Sequence, residues 1–303
     1  MRSGTGAPFQ ELDGASVPRP PTGRASRTPA GAVMRQVRRS PVRCAAVMVV
    51  LGLVIAALFA PVVATQTPTR MDFEAVLQRP NARHIFGTDD AGRDIFSRVV
   101  YGARVSTTVG VLAVALGATV GVSLGLVAGY YGRVWDTIAV WTVDTLLAFP
   151  GILLALLIAT ILGAGLGSIV VAIGIFSIPT FARLTRGSVL TAKRREYVEA
   201  ARAAGARDNH IIIRHVLLNS VGPIVVFATL VIGRAILTEA ALSFLGVGVP
   251  PPTPAWGAMV SAGQNYVRTA PYVVIFPGVA ILVTVLAFNI LGDALRDALD
   301  PKT

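Results

Sequence analysis

"EYVEAARAAGARDNHIIIRHVLLN", residues 196–219, lies between two strongly apolar runs. It is charged, rich in alanine and interrupted by a glycine. Residues 193–204 favour helix, because Ala200, Ala201, Ala203 and Ala204 are strong helix formers accompanied by Glu196, Glu199 and basic side chains. Glu199 stands four residues after Arg195 and three before Arg202, the spacing at which side chains pair on a helix surface. Gly205 falls where a left-handed C-terminal cap is wanted. Asp208 is placed as the N-cap of a second short helix over 209–218, and Gly222-Pro223 marks the entry to the next apolar run. The prediction is helix, glycine turn, helix. One reading lays this unit on lipid headgroups. The face of Tyr197, Ala200, Ala201 and Ala204 offers lipid little apolar area, at about 25 cal/mol per Å². Small side chains instead let a helix approach a protein groove closely, so the stretch reads as a docking surface.

The surrounding chain is apolar. Of 303 residues, 53% are hydrophobic and 14% charged, against about 25% charged in soluble domains. The class is all-α and polytopic in the membrane. A span needs about 20 apolar residues, and six runs qualify or nearly so: 44–64, 104–130, 137–162, 168–185, 220–246 and 272–291. The second and third are long enough to imply tilt or a kink. Arg-rich segments orient the chain. Residues 1–43 form an Arg-rich tail, and 186–218 carries Arg186, Lys193, Arg194, Arg195, Arg202, Arg207 and Arg214. With six spans these segments and the C-terminus share one side, which the positive-inside bias makes cytoplasmic. The 65–103 loop faces outside, its arginines balanced by Asp72, Glu74, Asp89, Asp90 and Asp94. The membrane domain is 44–303. The tail has few large apolar groups and is expected to be disordered. The net charge of +11 flanks spans and suits anionic lipid rather than nucleic acid.

Catalytic machinery is not visible. The only lysines are Lys193 and Lys302, and neither sits in a phosphate-binding loop. Cys44 is the single cysteine, which leaves no internal disulfide and no cysteine metal site. His210 and His215 are five apart, about 140° around a regular helix, and are expected to be solvated or capping rather than ligating. Transport against a gradient would draw on an ion gradient or on another subunit.

Three further stretches carry pattern. In "FGTDDAGRDIFSRVVYGARVS" (86–106), Ile95, Phe96, Val99 and Val100 make a helical apolar stripe. It reads as an outer interfacial helix leading into span two, with Asp89, Asp90 and Asp94 used in capping and ion pairing rather than as a cation site. "EAALSFLGVGVPPPTPAWG" (239–257) ends in a proline run that favours stiff polyproline conformation, followed by Trp256, a residue suited to the membrane interface. "LGDALRDALDP" (291–301) closes the chain. Arg234 and Glu239 lie inside span five and Asp144 near the end of span three. Charge there is a functional pointer, either to a pore lining or to contact with another helix or a partner.

"EAARAAG" (199–205), with Leu217 and Asn219 downstream, resembles the EAA loop of ABC importer permeases. The other three stretches look like the C-type permease of the dipeptide/oligopeptide and nickel importers, over about 45–303. The chain departs from the family pattern at Leu218, where proline is usual, and at His215, where many members have an aliphatic residue. The resemblance implies a type I importer permease fold and an inner-membrane subunit with both termini cytoplasmic. It also implies pairing with a second permease as a heterodimer, two ATP-binding subunits that hold ATP and Mg, and an external substrate-binding protein. This chain itself would hold no cofactor or metal and would not be an enzyme. The residues that would couple it to the ATPases are Tyr197, Glu199, Ala200, Ala201, Ala204 and Gly205, with His215 and Leu217. The implied cargo is a di- or oligopeptide. A nickel permease and, in another class, a stand-alone secondary transporter are the alternatives.

Overall fold

The computed structural model describes residues 40–299 and Val37; the expected disordered tail lies almost wholly outside them. Ten helices follow in these residues: α1 Pro41–Leu58, α2 Ala60–Val63, α3 Ile95–Tyr131, α4 Arg133–Leu147, α5 Gly151–Leu162, α6 Leu166–Ala192, α7 Glu196–Ala203, α8 Asp208–Phe244, α9 Trp256–Gly263 and α10 Tyr272–Leu299. Short 3₁₀ turns cover Phe73–Ala75 and Gln264–Tyr266. Among the described residues five helices are long and apolar enough to cross a bilayer, or six crossings if α4 and α5 form one span.

The tilt or kink expected of the third run, 137–162, is a sharp bend, and the run begins earlier, at Arg133. The chain bends by 88° between α4 and α5, at Phe149-Pro150, where the proline disfavours helical conformation in the residue before it. The packing of α3 on α6 shows that the bent pair still crosses. A Cβ at Gly117, Gly121, Gly125 and Gly129 would meet Ser177, Phe181, Thr185 and Val189 in turn. Both numbers rise together, so α3 and α6 run parallel, and residues 132–165 must carry the chain back along the bundle. Arms of 15 and 12 residues are about 22 and 18 Å long. Set at a right angle they span about 29 Å, close to a hydrocarbon core of about 30 Å.

The other spans differ in extent. No separate interfacial helix precedes span two: α3 is one 37-residue helix, about 56 Å long. Its start is set by Asp94, whose Oδ2 accepts Ser97 N at 2.9 Å. Span five continues without a break into the second helix of the 196–219 unit, with residues Ile211–Leu217 π-helical. Gly222-Pro223 does not interrupt it. Just before the proline, side chains bond back to the helix: Asn219 Nδ2 donates to His215 O at 2.5 Å and Ser220 Oγ to Val216 O at 2.9 Å.

Two contacts fix which ends share a face. Arg43 at the start of α1 pairs with Asp297 at the end of α10 at 2.6 Å. Gly292 of α10 packs on Leu230 and Gly233 of α8 on Phe288, so α8 and α10 are antiparallel and the start of α8 lies at the end where α10 finishes. Residues 43, 131, 193–208 and 299 therefore sit at one Arg-rich face.

The opposite face is a packed cap. His84, 1% exposed, holds Asp94 Oδ1 at 3.1 Å, and Asp89 pairs with Arg93 at 2.7 Å. The aspartates thus serve capping and ion pairing. Phe86 stacks on Phe276, and Tyr272 Oη donates to Leu77 O at 2.5 Å. The proline run is not continuous polyproline: residues 251–252 turn, and Arg98 Nη1 reaches the carbonyls of Pro68 and Pro252. Trp256 is not an interfacial anchor. It is 2% exposed, donates Nε1–H to Val99 O at 2.9 Å and lies against Gly102.

Candidate coupling surface

The two-helix unit forms as its sequence predicts, with partners the sequence did not disclose. α7 ends at Ala203, with Ala204 as C-cap, and Gly205 takes φ +79°. Gly205 N donates to Arg202 O at 2.9 Å and Ala206 N to Ala201 O at 3.0 Å, the paired bonds of a Schellman cap. A small core lies beneath: Val198, Ile211 and Val216 are fully buried and pack with Tyr130 and Val189. The unit is therefore seated on the ends of α3 and α6.

Polar contacts add to that seat. Tyr130 Oη donates to Asp208 at 2.5 Å, and Lys193 Nζ donates to the carbonyls of Gly129 and Tyr130 at 3.2 and 3.1 Å. Asp208 is thus a tether rather than the expected N-cap. Arg202 lies over the Tyr130 ring at 5.5 Å, so it does not close the expected pair with Glu199. Tyr130 and Lys193 were missed as members of this site, because nothing in residues 126–132 marks an end that will meet residue 208.

The outward face presents Tyr197, Glu199, Ala200, Ala204 and Gly205 exposed, with Ala201, His215 and Leu217 partly buried. The π turn corrects the separation of the histidines. Five residues is nearly one turn of a π-helix, and the rings of His210 and His215 stand 5.7 Å apart, with Tyr197 6.2 Å from His215. No group of three ligating side chains occurs among the described residues. The exposed surface is small-residued and flanked by Arg195, Arg207 and Arg214. A Cβ at Gly205 would meet nothing within 4 Å in this chain.

The three intramembrane charges separate. Asp144 pairs with Arg183 at 2.8 Å, both well exposed, and about two turns earlier on α4 Asp136 grips Arg186 through two bonds of 2.5 and 2.7 Å. These pairs tie α4 to α6. Arg234 is exposed. Glu239 contacts another helix, one of the two alternatives left by the sequence: it is fully buried and accepts Ser106 Oγ at 3.0 Å and Ser243 Oγ at 2.8 Å. Glu239→Gln is expected to stay within about 1 kcal/mol of wild type, since an amide still serves both hydroxyls. Glu239→Lys buries a cation with no acid beside it and should empty the membrane of folded protein. Wild-type melting of the lysine variant would place this side chain in water instead.

A multi-pass helical bundle with a seated two-helix unit on its Arg-rich face is the architecture of a transporter's membrane subunit. The chain belongs to the family "Binding-protein-dependent transport system inner membrane component", whose profile matches residues 121–303. It is 47% identical over 277 residues to the "Glutathione transport system permease protein GsiD" of Escherichia coli O1:K1 / APEC, covering 91% of each chain. The same identity and coverage hold for the protein of that name in Shigella boydii serotype 4 (strain Sb227). Solved structures share the fold. A methionine ABC transporter, MetNI, in an inward-facing form aligns with TM-score 0.53 at 20% identity, over 66% of this chain and 96% of that one. An amino acid ABC transporter with histidines aligns at 0.54 and 16% identity, over 67% and 95%. The chain is accordingly a permease subunit of an ABC importer, of the peptide/nickel type.

Proposed function

We propose that this chain is one of two permease subunits through which an importer passes di- and oligopeptides, glutathione-like tripeptides among them, into the cell. The observation that carries the cargo is the 47% identity along 91% of a glutathione permease. The Arg-rich face is the cytoplasmic one. There Tyr197, Glu199, Ala200, Ala201, Ala204 and Gly205, with His215 and Leu217 behind them, enter a groove on an ATP-binding subunit. Two such subunits bind ATP and Mg and do the hydrolysis, while a second permease closes the path and an external protein delivers the peptide. The seat on α3 and α6 supports this coupling, because a push on α7 is passed through Val198 and the Tyr130–Asp208 bond to two spanning helices.

The test is co-expression with candidate partners, co-purification, and uptake of labelled glutathione, dipeptides, oligopeptides and nickel. Peptide uptake that depends on ATP and on the external protein is expected. Nickel uptake without peptide uptake would establish the alternative cargo, and transport without any ATPase would establish a secondary transporter. For orientation, in a Cys44→Ser background, a cysteine replacing Pro251 should react with an impermeant thiol reagent in intact cells and one replacing Asp208 should not. The reverse pattern would invert the topology.

A further inference from the structure

Arg234 is the one intramembrane charge discussed above whose side chain has no hydrogen-bond or ion-pair partner among the described residues. It lies ten residues before the end of α8, about 15 Å along the helix, and its side chain is exposed. Among the described residues no carboxylate pairs with it. Glu239, the nearest acid in sequence, is turned into the bundle and taken by Ser106 and Ser243. A guanidinium in a spanning segment faces a partner or an aqueous path.

The surroundings favour the path. Arg234 lines a narrow cleft of about 30 Å³ with Phe176, Ser177, Thr180, Phe227 and Thr238. Phe227 also borders a cleft of about 440 Å³ with Leu184 and Arg296. Leu184 in turn borders one of about 820 Å³ with Arg183, Arg195 and Tyr197. The three clefts follow one another along α6 and α8, separated at Leu184 and Phe227, as an interrupted furrow between the coupling helix and Arg234. Every charged side chain lining it is an arginine. At its far end the half-buried hydroxyls of Thr180 and Thr238 donate back to their own helices at 2.8 and 2.9 Å. Their oxygens keep lone pairs for incoming N–H groups.

We propose that Arg234 binds a carboxylate of the transported peptide, and that the furrow thereby favours cargo with a free carboxylate over its neutralised counterpart. The guanidinium offers the planar fork that grips a carboxylate through two bonds, and the hydroxyl oxygens accept the adjacent peptide N–H groups. The proposal rests on the peptide-importer reading and specifies its cargo.

The test uses the whole importer in liposomes with its external protein. Probes are trialanine and trialanine amide, each supplied at levels that saturate the external protein by separate measurement. Arg234→Gln should slow the acid about ten-fold and the amide less than two-fold, with Arg234→Lys retaining most acid transport. Equal slowing of both would assign Arg234 to structure and overturn the proposal, as would wild-type transport by Arg234→Gln. Failure of wild type to import any peptide would instead defeat the peptide reading. A second measurement is independent of cargo. In a Cys44→Ser, Thr238→Cys complex, an anionic methanethiosulfonate should react several-fold faster than a cationic one, and Arg234→Gln should abolish the preference. Equal rates with Arg234 present would mean that an acid of the second permease neutralises it, which overturns the proposal.

Discussion

Gly121→Ala should cost about 1–3 kcal/mol of stability from a single added methyl group, and Gly121→Val more, because overpacking at a helix contact cannot be relieved by rotating a side chain. A Cβ at Gly121 would lie 2.6 Å from Ile178 O and 2.7 Å from Phe181 Cβ. At Gly125 it would lie 2.6 Å from Ala182 O. The nearest atoms are backbone of α6, so the two helices must part along their length. Small residues at such contacts let spanning helices approach closely, and packing rather than water exclusion then holds them together. Gly167→Ala is the control: it lies in the first turn of α6 with nothing within 4 Å of its Cβ. The measurement is membrane level and melting of the solubilised protein. If Gly121→Val melts with wild type, the parallel α3–α6 packing is wrong, and with it the six-crossing topology.

Gly205→Val should nearly abolish uptake while the protein still inserts. At φ +79° a β-branched residue is strained by about 1–3 kcal/mol, and the Schellman cap that sets the angle between α7 and α8 opens. Gly205→Ala, less strained, should be milder. Glu199→Arg tests the outward face. Glu199 forms no ion pair among the described residues, so the reversal disturbs little inside the chain and places a cation beside Arg195 and Arg202 on the docking surface. Both variants are expected to be present at wild-type level, to lose the co-purifying ATPase and to fall below about a tenth of wild-type uptake, while the external protein keeps its peptide affinity. A tenfold loss corresponds to about 1.4 kcal/mol, within the strain expected at Gly205. Retained ATPases with normal transport would reduce this segment to an ordinary surface loop.

Residues 199–205 were legible because a helix cap is a local object. Four alanines, a glutamate and a glycine in register specify helix and left-handed turn from their own backbone preferences. The same holds for the class: apolar runs of bilayer length can only be buried helices or spans, and among the described residues Arg43 and the arginines of 193–208 gather on one face. The right-angled bend at Phe149-Pro150 was only half legible, since proline marks a break but not its angle. The outer start of α3 at Ile95 and its Asp94 cap were legible, but not that this helix runs unbroken into span two. The remaining features join residues that chain distance hides. Tyr130 meets Asp208, Asp136 meets Arg186, and Trp256 fills the space over Gly102. Arg234 and Glu239 were equivalent in the sequence, two charges in one span. Rotation about α8, set by the packing of α3, α6 and α10, turned the acid into the bundle and left the arginine at the furrow. Periodicity states which residues share a helix face; only the neighbouring helices decide which face is covered.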